Sequence, residues 1–508
     1  MMTLIRFAAA LVLCAASLAA RAADPTNAPT PALPTLENSV VKVFSTLRRP
    51  DLYKPWSKQA PADVTGSGVV VEGHRILTNA HVVQYASQVQ VQANQSGDKL
   101  DAKVVAIAPG IDLALLELDD EAFFATHAAV PRSSALPDVR EAVFAYGYPA
   151  GGTSLSITKG IVSRIEFVGY SYAISGLRIQ VDAALNPGNS GGPAIANDKM
   201  IGLAFSMVAS AQNIGYIIPN EEIELFLKDV RDGHYDGKPN FLEQTQTIEN
   251  PALRDFLKLD KKVEGAIVTR PYSDDPAYPL KEWDVITRIG DWPIDNEGDV
   301  HVGPNLRVNF RYRVQQLAKD GKVPLTVVRN GKVLTVSAPV YPRRPAMLPP
   351  LNGGYPDYFI YGPVVFTRAT AEFLGGWAQN GAGMLGMSAA ANPMVTQLTR
   401  MPSAERQELV VVAAPFFPDK TVKGYDSRLG SVLDSVNGVP VKSLKHLVSL
   451  LRDLKDDLVV LRFDQLFAET VVLRRKDVLA ATDTILADNG IRFQGTPELM
   501  DIWSGRTR

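Results

Sequence analysis

The sequence predicts a multidomain chain in which an all-β first part, a barrel or sandwich, precedes two mixed α+β units. Three observations carry this expectation. The chain has 508 residues, about three or four ordinary domains. From Asn38 to about Ile218, short β-rich runs are closely spaced and broken by glycine, the texture of an all-β architecture. Beyond the polar stretch Arg231–Asn240, strands alternate with helices, and one order of elements occurs twice.

The first segment reads as a targeting signal. Met1–Arg6 is short and positive, Phe7–Ala20 is apolar or small throughout, and Ala20-Arg21-Ala22 fits a small-x-small cleavage site. This pattern predicts a secretory signal peptide over 1–22, too short to span a membrane, and hence a periplasmic destination. Cys14, the single cysteine, lies inside it. The processed chain therefore has no thiol for a disulfide, a nucleophile or a thiolate metal site. A Pro-rich leader over 23–37 follows.

The β-rich runs then include Ser39–Phe44, Gly68–Val71, Gln88–Gln92, Lys103–Ile107, Val143–Tyr146, Leu177–Val181 and Ile201–Phe205. A helix over Asn220–Val230 closes this part, with Ile223, Leu225, Phe226 and Val230 mostly on one face. The pattern V-I/L-x-x-I/V-x-x-x-P-I/V recurs at Val285–Ile294 and Val432–Val441, each time followed by a helix and a strand. These repeats place units at 236–345 and 346–475, joined by the Pro/Gly linker Tyr341–Pro356, with a C-terminal helical tail over 476–508.

Apolar content of 46%, charged content of 21% and a net charge of −2 describe a globular protein with no electrostatic case for nucleic acid or anionic membrane. No P-loop or metal-ligand motif is present, so neither cofactor nor metal is expected.

Three short motifs in the β-rich part carry chemistry: "ILTNAHVV" (76–83), "GIDLALLEL" (110–118) and "NPGNSGGP" (186–193), offering His81, Asp112 and Ser190. A serine hydroxyl needs a base within hydrogen-bond reach, and that imidazole needs a carboxylate to hold its tautomer. The order His, Asp, Ser fits the chymotrypsin arrangement and excludes the α/β-hydrolase one, in which both partners follow the serine. The glycines around Ser190 suit an oxyanion hole, with the N–H groups of Gly188 and Ser190 as its donors. Each residue alone is an ordinary loop feature; all three in one order, each at the edge of a β-run, are not.

With "GYPAGGTSLSITKGIVSRI" (147–165), these motifs resemble the Deg/HtrA family of trypsin-like serine proteases, nearest its plant-type branch and bacterial relatives. The resemblance implies an all-β double-barrel, chymotrypsin-like protease domain over 38–235 followed by two α+β PDZ-like domains. It also implies that His81 is the general base, Asp112 its orienting group and Ser190 the nucleophile. Ala184, six residues before the nucleophile, falls at the base of the specificity pocket, which Leu185 and Met207 line. Cleavage after small or medium aliphatic residues is then expected, with Phe205-Ser206 pairing to an extended substrate.

Asn189 cannot make the ion pair that switches trypsin-like zymogens. Activation is therefore expected through ordering of the loops 166–176, with Tyr170 and Tyr172, and 206–214. A PDZ groove needs a Φ-Gly-Φ loop for a C-terminal carboxylate. Here "NFLEQTQ" (240–246) lacks glycine and places Glu243 there, and Tyr361-Gly362-Pro363 is interrupted by proline, so capture is not expected of either. The family implies an ATP-independent endopeptidase acting on unfolded or damaged exported proteins as a homo-oligomer, a trimer or multiple of trimers. The alternative is a periplasmic chaperone or scaffold dominated by its PDZ-like part.

Overall fold

The computed structural model describes residues 36–170, 174–205, 215–303, 306–378 and 381–506. The predicted signal peptide, the leader up to Thr35, Tyr172 and Met207 lie outside them.

The β-rich part folds as two closed antiparallel barrels. The first contains β1 (Val40–Leu47), β2 (Ala62–Val71), β3 (Arg75–Thr78), β4 (Ala86–Ala93), β5 (Leu100–Ala108) and β6 (Leu113–Leu118), in the order β1-β2-β3-β6-β5-β4. The second contains β7 (Ala142–Gly147), β8 (Ser156–Gly169), β9 (Ser175–Val181), β10 (Pro193–Ala196), β11 (Lys199–Phe205) and β12 (Gly215–Pro219), in the order β10-β11-β12-β9-β8-β7. Closure pairs every strand on both sides and leaves no edge exposed.

Valine and isoleucine fill each interior: Val41, Val43, Ile76 and Val91 in the first, Val143, Val162, Ile179 and Ile217 in the second. A third cluster lies between the barrels. It joins Val69, Leu77, Ile111 and Leu113 to Ile195, Leu203 and Ile218, and is covered by Ile223 and Phe226 of helix α2 (Asn220–Asp229). This close-packed seam fixes one barrel against the other.

In the first α+β unit the strands Gln244–Thr247, Ala266–Arg270, Val285–Ile289, Lys322–Arg329 and Lys332–Pro339 form one sheet in that order. The helix that follows the repeated pattern runs from Arg311 to Leu317. It ends where Ala318 leaves the helical region for extended backbone, φ −61° and ψ +124°, its N–H still donating to Val314 O. Both copies of the repeated pattern fold as the same tight hairpin, Ile289 facing Trp292 in one and Val436 facing Val439 in the other.

The second unit packs the hairpin Tyr358–Tyr361/Val364–Arg368 and the strands Leu433–Val436, Leu458–Phe463 and Val471–Arg474 around the helix Leu444–Asp453. That helix buries Leu444, Leu447, Val448 and Leu451, and Ser443 caps it by accepting from the His446 N–H at 3.2 Å. Residues beyond Lys476 add Val478 and Leu499 to the same core, and the Trp503 ring lies 5.1 Å from Phe359.

The segment between β1 and β2 reaches this second unit. Tyr53 meets Phe373 at 5.6 Å and Trp56 meets Phe417 at 5.7 Å, while the Tyr355 hydroxyl donates to Arg48 O at 2.8 Å. Among the described residues no helix is long and apolar enough to cross a membrane, and no group of three or more metal-ligating side chains is assembled.

Candidate active site

His81 sits on the short helix α1 (Ala80–Val83), which follows β3 directly at the seam. Asp112 closes the turn between β5 and β6 in the left-handed region, φ +59°, a conformation that aspartate tolerates better than most residues. That backbone turns both carboxylate oxygens toward α1. Oδ1 accepts the His81 backbone N–H at 2.8 Å, and Oδ2 lies 2.8 Å from His81 Nδ1. With the proton on Nδ1, Nε2 is left as an acceptor. Asn79 completes the clamp by donating from Nδ2 to Asp112 O at 2.9 Å. The Asp112 side chain is 13% exposed and that of His81 42%, so the carboxylate is shielded while the imidazole faces the surface.

Ser190 lies across the seam in the turn before β10. Ser67 of β2 holds that turn from the opposite barrel. Its N–H donates to Ser190 O at 2.8 Å, and its hydroxyl donates to Gly188 O at 2.7 Å while accepting from the Tyr148 N–H at 3.0 Å. Thr78, three residues before His81, donates its hydroxyl to Ser67 O at 2.7 Å. Gly66 stands between Val82 of α1 and the Ser190 carbonyl; a Cβ there would come within 2.8 Å of Val82 and 3.3 Å of Ser190 O. These contacts bring the His81 helix and the Ser190 turn against one strand.

Two glycines of the turn have no room for a side chain. A Cβ on Gly191 would approach Ser67 O to 2.0 Å, and one on Gly192 would approach Tyr146 O to 1.9 Å. Gly188 adopts φ +104°, where glycine is favoured. Among the described residues, the turn's own bonds use the N–H groups of Asn189, Gly191 and Gly192 and not that of Gly188. Such a turn can present backbone donors to a developing oxyanion.

Asn189 is 1% exposed, and neither amide atom has a partner among the described residues. Its neighbour is Gly147, whose Cβ would lie 2.9 Å from Asn189 Oδ1. Ala184 is exposed, and Leu185 leans on Gly215, where a Cβ would meet Leu185 at 2.7 Å. Tyr170 follows β8 directly, its hydroxyl donating to Leu177 O.

Sequence reasoning did not single out Ser67, Asn79, or a buried pair behind β9. Glu222 of α2 and Lys238 beyond it are 1% and 3% exposed and form an ion pair. Glu222 Oε1 accepts the Leu177 N–H at 2.8 Å, and Lys238 Nζ donates to Ser175 O at 2.9 Å. Burial pushes the Lys238 ammonium below its ordinary pKa, and Glu222 opposes that shift. Removing the lysine leaves a carboxylate buried without its counter-charge. Lys238→Met is therefore expected to destabilise the protease part by about 3–5 kcal/mol, and Lys238→Met with Glu222→Gln by markedly less. Chemical denaturation followed by tryptophan fluorescence distinguishes the two.

Neither PDZ-like unit offers an open carboxylate loop. In the first, Arg311 spans the cleft between its helix and the edge strand Gln244–Thr247, donating to Glu243 O at 2.9 Å and to Thr245 Oγ1 at 3.0 Å. The Glu243 side chain, 3% exposed, accepts from the Tyr278 hydroxyl, and its Oε2 has no partner among the described residues. In the second unit Gly362 and Pro363 form a two-residue hairpin turn, and the Gly362 N–H donates to Thr482 Oγ1 at 3.2 Å.

Burial raises the Glu243 carboxyl above its usual range. The folded chain therefore holds this proton more tightly than the unfolded chain. Both are protonated below about pH 4, and stability falls as pH rises from there through the folded value. Glu243→Gln is thus expected to raise the unfolding temperature of this unit at pH 7–8 and leave it unchanged near pH 4. Calorimetry at the two pH values checks this.

A profile for the trypsin-like peptidase domain matches residues 66–203, and one for a PDZ domain matches 351–497. Protease Do-like 2, chloroplastic, of Arabidopsis thaliana is 34% identical over 473 residues, covering 91% of this chain and 76% of that protein. Protease Do-like 4, mitochondrial, of the same plant is 36% identical over 459 residues, covering 88% and 83%. Among solved structures, the HtrA-type protease AlgW with tripeptide is 26% identical with a TM-score of 0.47, covering 61% of this chain and 95% of that one. Identity at this level over nine-tenths of the sequence places the chain in the Deg/HtrA family of Do-like serine proteases.

Proposed function

We propose that the chain is an ATP-independent serine endopeptidase in which Ser190 attacks the scissile carbonyl, His81 takes its proton and Asp112 orients the imidazole. The two-point clamp of Asp112 on His81, opposite the Ser190 turn, is the observation that carries this reading. His81 Nε2 receives the Ser190 proton as the hydroxyl oxygen bonds to the carbonyl carbon, and the N–H groups of Gly188 and Ser190 stabilise the oxyanion. The imidazolium then gives the proton to the leaving amine. Water, activated by the same His81, hydrolyses the acyl-enzyme.

The substrates are unfolded or damaged exported proteins, cut after small or medium aliphatic residues. Ala184 and Leu185, with no carboxylate, support an apolar pocket. The N-terminal pattern over 1–22 supports a periplasmic location. The family supports a homo-oligomer built from trimers. Asn189, buried and uncharged, supports a switch through the loops around Tyr170 and Tyr172 rather than through a zymogen ion pair.

Digestion of casein and of a peptide library, read by mass spectrometry, tests this. Cleavage after valine, alanine or leucine is the expected result. Cleavage chiefly after lysine or arginine would overturn the pocket assignment. Protection of a client from aggregation with no cleavage would overturn the protease reading in favour of a chaperone. The occupied loops at Glu243 and Gly362 predict equal affinity of the full chain for free-carboxylate and amidated peptides, measurable by fluorescence anisotropy.

A further inference from the structure

Ser67 of β2 is 0% exposed, and both hydrogen bonds of its hydroxyl go to the opposite barrel. Oγ accepts the Tyr148 N–H at 3.0 Å, so its single proton is left for Gly188 O, 2.7 Å away. Gly147 makes room for this arrangement, since a Cβ there would come within 2.9 Å of Ser67 Oγ. A hydroxyl buried so completely costs free energy unless it is bonded, and these bonds reach the segment that carries the nucleophile.

That segment begins with a β-turn over Asn186–Asn189, closed by the Asn189 N–H on Asn186 O at 3.0 Å, with Pro187 and Gly188 at its centre. The φ of +104° at Gly188 is the positive value that the third residue of a type II turn requires. Beyond it, the Gly191 N–H donates to Ala204 O and the Gly192 N–H to Asn189 O, both at 3.0 Å. Among the described residues these backbone bonds leave Gly188 O aside, and the Ser67 hydroxyl takes it. The peptide group of that carbonyl joins Gly188 to Asn189, and so lies between the N–H groups of Gly188 and Ser190. Ser190 O, at the far end, accepts the Ser67 N–H at 2.8 Å. One residue thus holds the donor-bearing segment at its first and last carbonyls.

We propose that Ser67 is a positioning residue for the hydrolytic reaction: its hydroxyl, by fixing the Gly188 carbonyl, sets the angle at which the Gly188 and Ser190 N–H groups converge on the oxyanion. The inference rests on reading His81, Asp112 and Ser190 as the triad and those two N–H groups as the donors. Ser67 acts through the backbone and touches no reacting atom. The oxyanion exists only beyond the ground state, so a loosened donor segment lowers kcat and leaves substrate binding unchanged.

Lys42 provides the comparison. It is the cross-strand partner of Ser67 and also reaches the second barrel, where its Nζ donates to Gly151 O at 2.6 Å and Gly152 O at 3.1 Å. Its bonds hold the turn after Tyr148, not the segment between Gly188 and Ser190.

The test uses the full chain as wild type, Ser67→Ala, Ser67→Cys and Lys42→Met. It measures kcat and KM for an extended peptide, and affinity for a peptide aldehyde and for the peptide alcohol of the same sequence. With the aldehyde, Ser190 Oγ bonds to the carbonyl carbon, the serine proton passes to His81, and the carbonyl oxygen becomes the oxyanion. The alcohol binds without that step. Ser67→Ala is expected to lower kcat by about tenfold, short of the 10²–10³ that follows loss of a whole donor, with KM unchanged. Aldehyde affinity falls by the same factor and alcohol affinity stays. Ser67→Cys, with a weak thiol donor, falls between. Lys42→Met lowers the unfolding temperature and leaves the aldehyde-to-alcohol affinity ratio at the wild-type value.

Circular dichroism reports the fold, and the nearly isosteric Ser67→Cys carries the test if the alanine variant does not fold. A folded Ser67 variant with the wild-type ratio overturns the inference, as does an equal loss of the ratio in Lys42→Met. Ser190→Ala run in parallel separates the two readings. If it retains activity, the triad assignment fails. If it is inactive and the Ser67 variants keep the ratio, only the role of Ser67 fails.

Discussion

Replacing Ser190 by alanine is expected to lower kcat for casein or a peptide substrate by about 10⁶-fold while leaving the fold intact. The residue is 3% exposed at the barrel seam, and its turn is held by backbone contacts that alanine retains. Those are the Ser67 N–H to Ser190 O at 2.8 Å and the Gly191 N–H to Ala204 O at 3.0 Å. The variant should therefore keep its unfolding temperature and still bind unfolded protein. Its residual rate, some 10³-fold above the uncatalysed reaction, would come from substrate binding and the backbone donors of Gly188 and residue 190. Quenched-flow or discontinuous peptide assays measure the loss, and calorimetry checks that it is not unfolding.

Asp112→Asn is expected to cost about 10⁴-fold in kcat, and the geometry gives the reason. The His81 backbone N–H needs an acceptor at the position of Oδ1, 2.8 Å away. An asparagine amide satisfies it only with its oxygen there, which turns its NH₂ group toward His81 Nδ1. The imidazole must then carry its proton on Nε2 and points a donor at the serine. Geometry survives and the tautomer is reversed. Asp112→Ala removes both contacts and also frees α1, so it should lose stability as well as rate. Comparing the two in thermal unfolding and in kcat separates orientation of the imidazole from support of the helix.

The barrels were legible because their strands are short, β-branched and punctuated by glycine, and because closure puts one face of each strand in a core. His81, Asp112 and Ser190 were legible because each lies in a local motif whose order constrains the topology. The residues that hold them were less so. Ser67 reaches the Gly188 carbonyl across a sequence separation of 121 residues, and nothing in "TGSGVVV" says which hydroxyl faces inward. Arg178 reads locally as a surface residue in an alternating strand, and only the fold brings the Tyr170 and Phe205 rings within 3.5 and 4.4 Å of its guanidinium carbon. Tyr361-Gly362-Pro363 resembles a loop motif in sequence, yet strand pairing makes it a hairpin turn whose N–H is taken by Thr482. Long-range hydrogen bonds of this kind depend on register, which periodicity alone does not set.

The central claim is that Ser190, activated by His81 and oriented through Asp112, is the nucleophile. Treatment of the full chain with a fluorophosphonate, followed by peptide mass mapping, tests it most directly. One adduct is expected, on Ser190, formed in step with loss of proteolysis and strongly slowed in His81→Ala. An adduct on another serine, or proteolysis that persists with Ser190 fully modified, would contradict it.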